Sequence, residues 1–571
     1  MLFLRLNYVG LGERIELFRK TVSGIMLTLL VISMVTLAFN VQPVASEENP
    51  LAFEVEIKPE YPTIDDEVNV TAIFFDVPSI SYGFEFGPLI QVDNEFSVNI
   101  SVTIPYILPW IYVGEVAHTY PLGKLPEDSY SFSATVSYWY QQENGSWLGP
   151  FDYLYDRSFT VSAPPTTIIV PDDYSTIQEA VNAANPGDTV FVKSGTYCEN
   201  VVVNKTVSII GEDKENTIID GQENGDVILI NANGVCIKGF TIRNSSLAYY
   251  HSGVLFSFSN FSVISDSIII DCNNGVCINS ANGNNIEFNL ICNNNWGISF
   301  CSLLEEKPLP SNNTLIHNDI ANNSIGICLD DTSGNVIVYN NLENNYQGIS
   351  SEGGLNNSLT DNNITDSQEY GIWLIHCDGN TLMGNIIRNS SYYLHSSGIY
   401  LVESFNNTLT RNSFRDNRFG LLLYDSGNNT IQHNNFINNT LQTRFYQSWP
   451  GTPPLTNTLD NGYPSGGNYW SDYTGVDLYC GPYQNETGSD GIGDTPYVID
   501  VNNSDRYPLM HPWKLGDVNY DGEVNVLDLI VVATALGTLP SETGWNHRAD
   551  VKEDNEINVL DLILVAVHLG T

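Results

Sequence analysis

The chain has 571 residues, too many for one hydrophobic core, and 66 acidic against 22 basic side chains give it a formal net charge of −44. That balance disfavours nucleic acid and anionic membrane surfaces as partners and favours cations, calcium above all. Nine cysteines, eight of them between Cys198 and Cys377 and none in a Cys-x-x-Cys pair, fit small buried hydrophobes better than a disulfide frame or a metal site.

At the N-terminus Arg5, Arg14, Arg19 and Lys20 precede an apolar run from Ile25 to Phe39 and the small residues Val44-Ala45-Ser46. Residues 1–46 therefore read as a signal peptide or an uncleaved signal anchor, with membrane contact only in the second case. Everything after them is expected outside the cytoplasm, which sequons such as Asn69, Asn99, Asn144 and Asn485 suit. Residues 47–163 alternate in short β-like runs separated by turn signals, and predict a β-sandwich of immunoglobulin or fibronectin type. Its aromatics Trp110, Tyr112, Trp139 and Tyr140 are expected in the sandwich core, with sugar stacking as the other reading. Pro164-Pro165 marks the exit.

Next, Ser175 precedes Ile177, Ala180, Val181 and Ala184 at helical spacing, with Glu179 near the start and Pro186-Gly187 at the end. One short amphipathic helix ahead of a repeat region suits an N-terminal cap. The repeat itself is a Gly followed by an apolar residue, at Gly253, Gly275, Gly297, Gly326, Gly348, Gly371, Gly398 and Gly420, mostly 22 residues apart. Asn313, Asn335, Asn357, Asn380, Asn407 and Asn429 keep the same period, and Asn318, Asn340, Asn362, Asn385, Asn412 and Asn434 follow five residues behind. This pattern predicts a parallel β-solenoid over 164–513. Residues one and three after each Gly, such as Ile372 and Leu374, should point inward, and the two Asn series should form amide ladders. Two turns are longer, near Leu303 to Pro308 and near Tyr392 to His395, and the second echoes Asn244 to His251. Such inserts leave the coil as loops and often wall a binding face.

The repeats, the opening Gly195-Thr196-Tyr197 and the ending, from Gly467-Asn468-Tyr469-Trp470 through Asp490-Gly491-Ile492-Gly493-Asp494 to Tyr507-Pro508-Leu509-Met510, resemble right-handed parallel β-helix proteins of the NosD type over roughly 166–513. The resemblance implies sugar-binding or sugar-processing surface proteins and, in the namesake branch, periplasmic copper delivery. The residues themselves give copper little: His317 and His433 share a place in the repeat but lie five turns apart, roughly 24 Å on strand spacing, and Met is scarce. The aromatics of the ending suit a plug for the open coil.

Residues 514–571 carry the strongest local motif. Asp517, Asn519, Asp521, Asn525 and Asp528 stand at positions 1, 3, 5, 9 and 12 of a calcium loop, Gly522 makes its turn, and Glu523 supplies the position-7 carbonyl. Asp550, Asp554, Glu556, Asn558 and Asp561 repeat it 33 residues later, but Lys552 replaces a ligand and Asn555 replaces the turn Gly. The first loop is expected to bind Ca2+, and the second to bind weakly or to use Lys552 in a metal-free bridge. Paired loop-helix repeats of this kind resemble a type I dockerin, which implies a cohesin-like partner. On that resemblance Val526, Leu527, Val559 and Leu560 are the partner-contact candidates, with helix core an equal account of them.

No Gly-x-Ser-x-Gly, His-Glu-x-x-His, nucleotide loop or polygalacturonase-type signature is present. Chemistry is left to the outward strip of the solenoid, where Asp330 and Glu352 occupy the same place on successive turns and Asp331 adjoins them. These three are the catalytic candidates of a polysaccharide lyase or glycoside hydrolase, or ligands of a calcium ion that assists sugar binding. Trp373 and Tyr400 lie further along, with Glu403 close by, and Tyr392, Tyr393 and His395 are the loop candidates for substrate contact. The expected whole is an exported, all-β protein of sandwich, β-helix and small α-helical calcium module, which binds polysaccharide or glycan. An enzyme acting on such a polymer is the alternative.

Overall fold

In the computed structural model the described residues are 53–59, 62–78, 83–104, 112–142, 145–161, 164–247, 251–301, 309–448, 455–540 and 542–570. The N-terminal segment 1–46, Trp110, Asn144, the insert from Leu303 to Pro308 and residues 248–250 lie outside them. Described residues divide between Pro164 and Pro165 into two units, and among them no helix is long and apolar enough to cross a membrane.

In the first unit, strands Phe53–Lys58, Val68–Pro78 and Tyr112–Gly123 form an antiparallel sheet. A second sheet orders Gly83–Phe86, Glu95–Ile104, Asp128–Gln141 and Trp147–Val161, with one parallel pair in its middle. Strict alternation buries one face of each: Val68, Val70 and Phe74 meet Phe96, Ile100, Phe132 and Val136 in one cluster. Tyr138 is fully buried, as Phe132 of the same strand is, so its neighbour Trp139 falls on the outer face rather than in the core. Tyr140 is half-buried and packs against the core edge.

The second unit is a parallel β-solenoid with three sheets of twelve, twelve and eleven strands, each turn giving one strand to each sheet. Helix α1 (Ile177–Ala183) closes its start, burying Ile177, Ala180 and Val181. Thr176, one residue after the expected start Ser175, accepts the Glu179 N–H as cap, while the Glu199 carboxylate accepts the N–H groups of Ile177 and Gln178. All residues predicted to face inward at one and three after the repeat Gly are buried. At the far end Phe414, Phe436, Trp470 and Tyr497 stack face to face, with centroids 4.7, 4.3 and 4.3 Å apart. The Trp470 indole N–H donates to buried Asp505 at 2.9 Å.

Why the Gly recurs is now physical. A Cβ on any of the eight would lie 2.4–2.8 Å from a carbonyl oxygen of the next turn, although none of them has positive φ. Close stacking of backbones, rather than turn conformation, excludes a side chain. Each ladder Asn is the second determinant. Asn340, for example, donates from its own backbone N–H and from Nδ2 to Asn362 Oδ1, both at 3.0 Å, while its Nδ2 also donates to Leu315 O of the previous turn. Both Asn series run unbroken, to Asn457 and Asn468. A third ladder, absent from the sequence reading, links Asn294, Asn323 and Asn345 and resumes at Asn417 and Asn439.

Cys272, Cys277, Cys328 and Cys377 are buried, and Cys277 meets Cys301 of the next turn with sulfurs 3.0 Å apart. Removing one ladder amide leaves buried donors and acceptors unmet. Asn362→Ala should therefore lower solenoid stability by about 3 kcal/mol. Half-buried Asn363→Ala, one residue on, should cost under about 1 kcal/mol. Denaturant midpoints compare the two, and equal losses would contradict the ladder account.

Candidate functional site

The face of the eleven-stranded sheet turned away from the solenoid core aligns Cys328, Ser350, Trp373, Tyr400 and Leu422 on successive turns, and of these Trp373 and Tyr400 are partly exposed while the other three are buried. At its C-terminal edge the Asp330 carboxylate accepts the Glu352 N–H at 2.9 Å and the Cys328 thiol at 3.1 Å. Burial raises the Asp330 carboxyl above the ordinary carboxylate value, while the Glu352 side chain is exposed. Asp331 stands in a left-handed corner with its N–H on Glu352 O. The structure thus brings all three acidic candidates together. Asp330, however, serves as a backbone and thiol acceptor rather than standing free.

Trp373 and Tyr400 are register neighbours, and Tyr370 lies 5.4 Å from the ring of each. Sequence reading missed Tyr370, whose signal was the residue just before a repeat Gly, where neighbouring turns carry Gln347 and Ser397. The insert places Tyr393 against Tyr346 at 5.9 Å and Tyr392 against Tyr393 at 4.8 Å, with Tyr392, Tyr393 and His395 all exposed. Beside them Gln347 donates to Glu369 at 2.8 Å. Glu403 stands apart from Tyr400. It occupies a left-handed corner and meets His376 Nε2 at 3.2 Å, in the column that also holds Asp331. The strip therefore has an acidic edge of Asp330, Asp331 and Glu352, and an aromatic edge of Tyr346, Tyr370 and Tyr393.

In the C-terminal module the two loops lead into helices α2 (Val526–Ala535) and α3 (Val559–Val567), capped by Asn525 and Asn558. Asp517 Oδ2 accepts the Gly522 N–H at 2.9 Å, but its Oδ1 is buried without a partner. Burial, with Asp528 and Asp521 nearby, pushes Asp517 up to about 6. Asn519 and Asp521 bond each other, Glu523 N–H donates to Asp521, and Asp528 accepts three backbone N–H groups. An orphaned buried carboxylate oxygen in a loop of carboxylate and amide oxygens fits a calcium ion, which Asp517, Asn519, Asp521 and Asp528 would hold.

The second loop differs. Lys552 Nζ sits on Asp554 at 2.7 Å, and both oxygens of Asp550 accept backbone N–H groups, from Asp554 and Asn555. Asp561 accepts from Lys552 and Asn558, and the Glu556 N–H donates to Asp554. Asn555, φ 64°, reproduces the left-handed turn of Gly522. Val526, Leu527, Val559 and Leu560 are 44–62% exposed together with Ile530 and Ile563. The module's core is instead Val518, Val524, Val532, Ile557 and Val565.

Residues 181–357 and 311–475 match the family described as periplasmic copper-binding protein (NosD), two overlapping stretches that span more than half of the chain. The chain belongs to the NosD family. Residues 515–570 match the dockerin type I domain. A curated relative, the probable pectinesterase/pectinesterase inhibitor 6 of Arabidopsis thaliana, is 34% identical over 109 residues, 16% of this chain and 20% of that protein's own length. Among solved structures, DFA-IIIase from Arthrobacter chlorophenolicus A6 has 12% identity and TM-score 0.38 over 52% of this chain and 88% of its own. The A-module of mannuronan C-5 epimerase AlgE4 from Azotobacter vinelandii has 14% identity and TM-score 0.33 over 51% and 91%. Tailspike protein 2 of bacteriophage CBA120 has 13% identity and TM-score 0.34 over 61% and 52%.

Copper, which the family description names, does not fit this NosD-family chain. His317 is stacked between Phe288 and Tyr339, and buried His433 bonds Ser465 O and stacks on Trp513. Among the described residues no three His, Cys, Asp or Glu side chains stand grouped to hold a metal, the first loop's Asp517, Asp521 and Asp528 included, so calcium there would have to draw its ligands together. For calcium, calorimetry on the full chain should give one ion per chain, lost in Asp517→Ala and kept in Asp550→Ala. Lys552→Asn should raise the count to two, and two ions in the unaltered chain would contradict the lysine bridge.

Proposed function

We propose that this protein is exported and works as a bridge. Its solenoid strip binds a polysaccharide or glycan, and its dockerin docks to a cohesin-like partner with calcium in the first loop. The observation that carries the glycan half is the pair Trp373 and Tyr400, partly exposed rings in register on neighbouring strands, with the buried Tyr370 ring packed against both. Rings spaced by neighbouring strands suit successive sugar rings, whose apolar faces stack on aromatics. Tyr392, Tyr393 and His395 extend that pair on one side. The acidic edge, with Asp330 and Glu352, offers contacts to sugar hydroxyls. For the partner half, the dockerin match implies cohesin docking, and the exposed Val526, Leu527, Val559 and Leu560 supply an apolar face.

A second reading, a lyase or hydrolase, draws on the contrast between Asp330, raised by burial, and exposed Glu352. Binding is favoured over it because the Asp330 oxygens are already engaged by Glu352 N–H and the Cys328 thiol. Trp373→Ala should weaken binding to a glycan found by array at least about ten-fold while leaving cohesin capture intact. Val526→Asp with Val559→Asp should do the reverse. Release of reducing or unsaturated ends, lost in Glu352→Ala, would replace the binding reading with the enzymatic one.

A further inference from the structure

Each calcium-type loop sends its fourth residue into the C-terminal end of the solenoid. In the first, Tyr520 donates its hydroxyl proton to Ser465 O at 2.8 Å. Its ring lies 4.0 Å from the Arg548 guanidinium, which donates to Pro464 O at 2.6 Å and Asp490 O at 3.0 Å. Gly491 approaches so closely that a Cβ there would lie 2.6 Å from Tyr520 Cβ and 2.8 Å from its carbonyl oxygen. In the second loop Glu553, at the equivalent position, pairs with Arg411 of the solenoid at 2.6 Å. The joining segment is pinned as well, since the Trp513 N–H and C=O both bond the Asn435 side chain. A cavity of about 40 Å3, room for a few waters, lies in this contact.

Tyr520 and Glu553 share a further property. Both are left-handed, at φ 59° and 60°, a conformation that costs a non-glycine residue energy and persists where its surroundings impose it. Tyr520 lies between Asn519 and Asp521, the third- and fifth-position ligands of the first loop. A cation gripped by those two side chains fixes the same backbone dihedrals that the contact with Ser465 and Gly491 fixes. Two events that order one segment each lower the ordering cost of the other, which is positive coupling.

We infer that calcium binding to the first loop and seating of the module on the solenoid's C-terminal end are one coupled equilibrium, with Tyr520 as the shared element. The inference rests on the reading that the first loop takes calcium. Loaded, the module holds its exposed helix face at a fixed orientation to the glycan strip. Empty, it is released from Ser465 and Asp490 and swings on the joining segment.

The test uses full-length protein, with calcium titration by calorimetry and amide hydrogen exchange. Calcium should slow exchange at 463–467 and 489–492 as well as within 515–570. Arg411→Gln, on the solenoid side, should weaken calcium binding about five-fold. The sign is decisive, because removing a nearby positive charge would by itself tighten cation binding. Tyr520→Phe, which keeps the ring and loses the hydroxyl bond, should weaken it in the same direction. Calcium bound with unchanged or tighter affinity in Arg411→Gln, or with protection confined to 515–570, would overturn the coupling alone. No calcium bound by the unaltered chain would overturn the coupling and the calcium reading together.

Discussion

A buried asparagine that donates twice to the asparagine above it and once to the turn below sets the pitch of this protein. The amide is desolvated, so its bonds are obligatory rather than optional. Repeated along two series and a partial third, with Asn357 turning its Nδ2 to Thr332 instead, it holds successive backbones at strand spacing. The repeat glycines follow from it, because at that spacing a Cβ would strike the carbonyl of the next turn. The sheet-borne candidates of the strip are placed by this constraint, since a side chain on one turn has its neighbour fixed on the next.

Rigidity of that kind makes a strip rather than a pocket. Trp373 and Tyr400 need no loop to orient them, and Tyr370 packs against both from the start of the Trp373 strand. The proposed ligand, a polymer with a regular repeat, matches a surface with a regular repeat. The same geometry weakens the case for acid–base work by Asp330, whose carboxylate is spent on holding the strand end that carries Glu352. In the proposed bridge the C-terminal module is the other half, with its apolar helix face exposed and its loops turned toward the solenoid.

Legibility in the sequence followed periodicity. Inward residues, both long Asn ladders and the alignment of Trp373 with Tyr400 were readable because each recurs at the turn length. The third ladder escaped because Ser367 and Ser390 interrupt it. Tyr370 escaped because the position before each Gly varies in chemistry from turn to turn. Glu403 was placed beside Tyr400 by sequence distance, yet the chain enters a left-handed corner there and carries it toward His376. Trp139 was expected inside the sandwich, and alternation gives that place to Tyr138. The contact of Tyr520 with Ser465 joins residues 55 apart outside any repeat, so no pattern announced it.

The bridge itself is open to one direct measurement. A soluble cohesin-type domain is passed over an immobilised polysaccharide identified by array, with and without this protein and with calcium or a chelator. The account predicts that the domain is retained only when the protein and calcium are both present. Retention of the protein without the domain, or release of sugar fragments in place of retention, would contradict it.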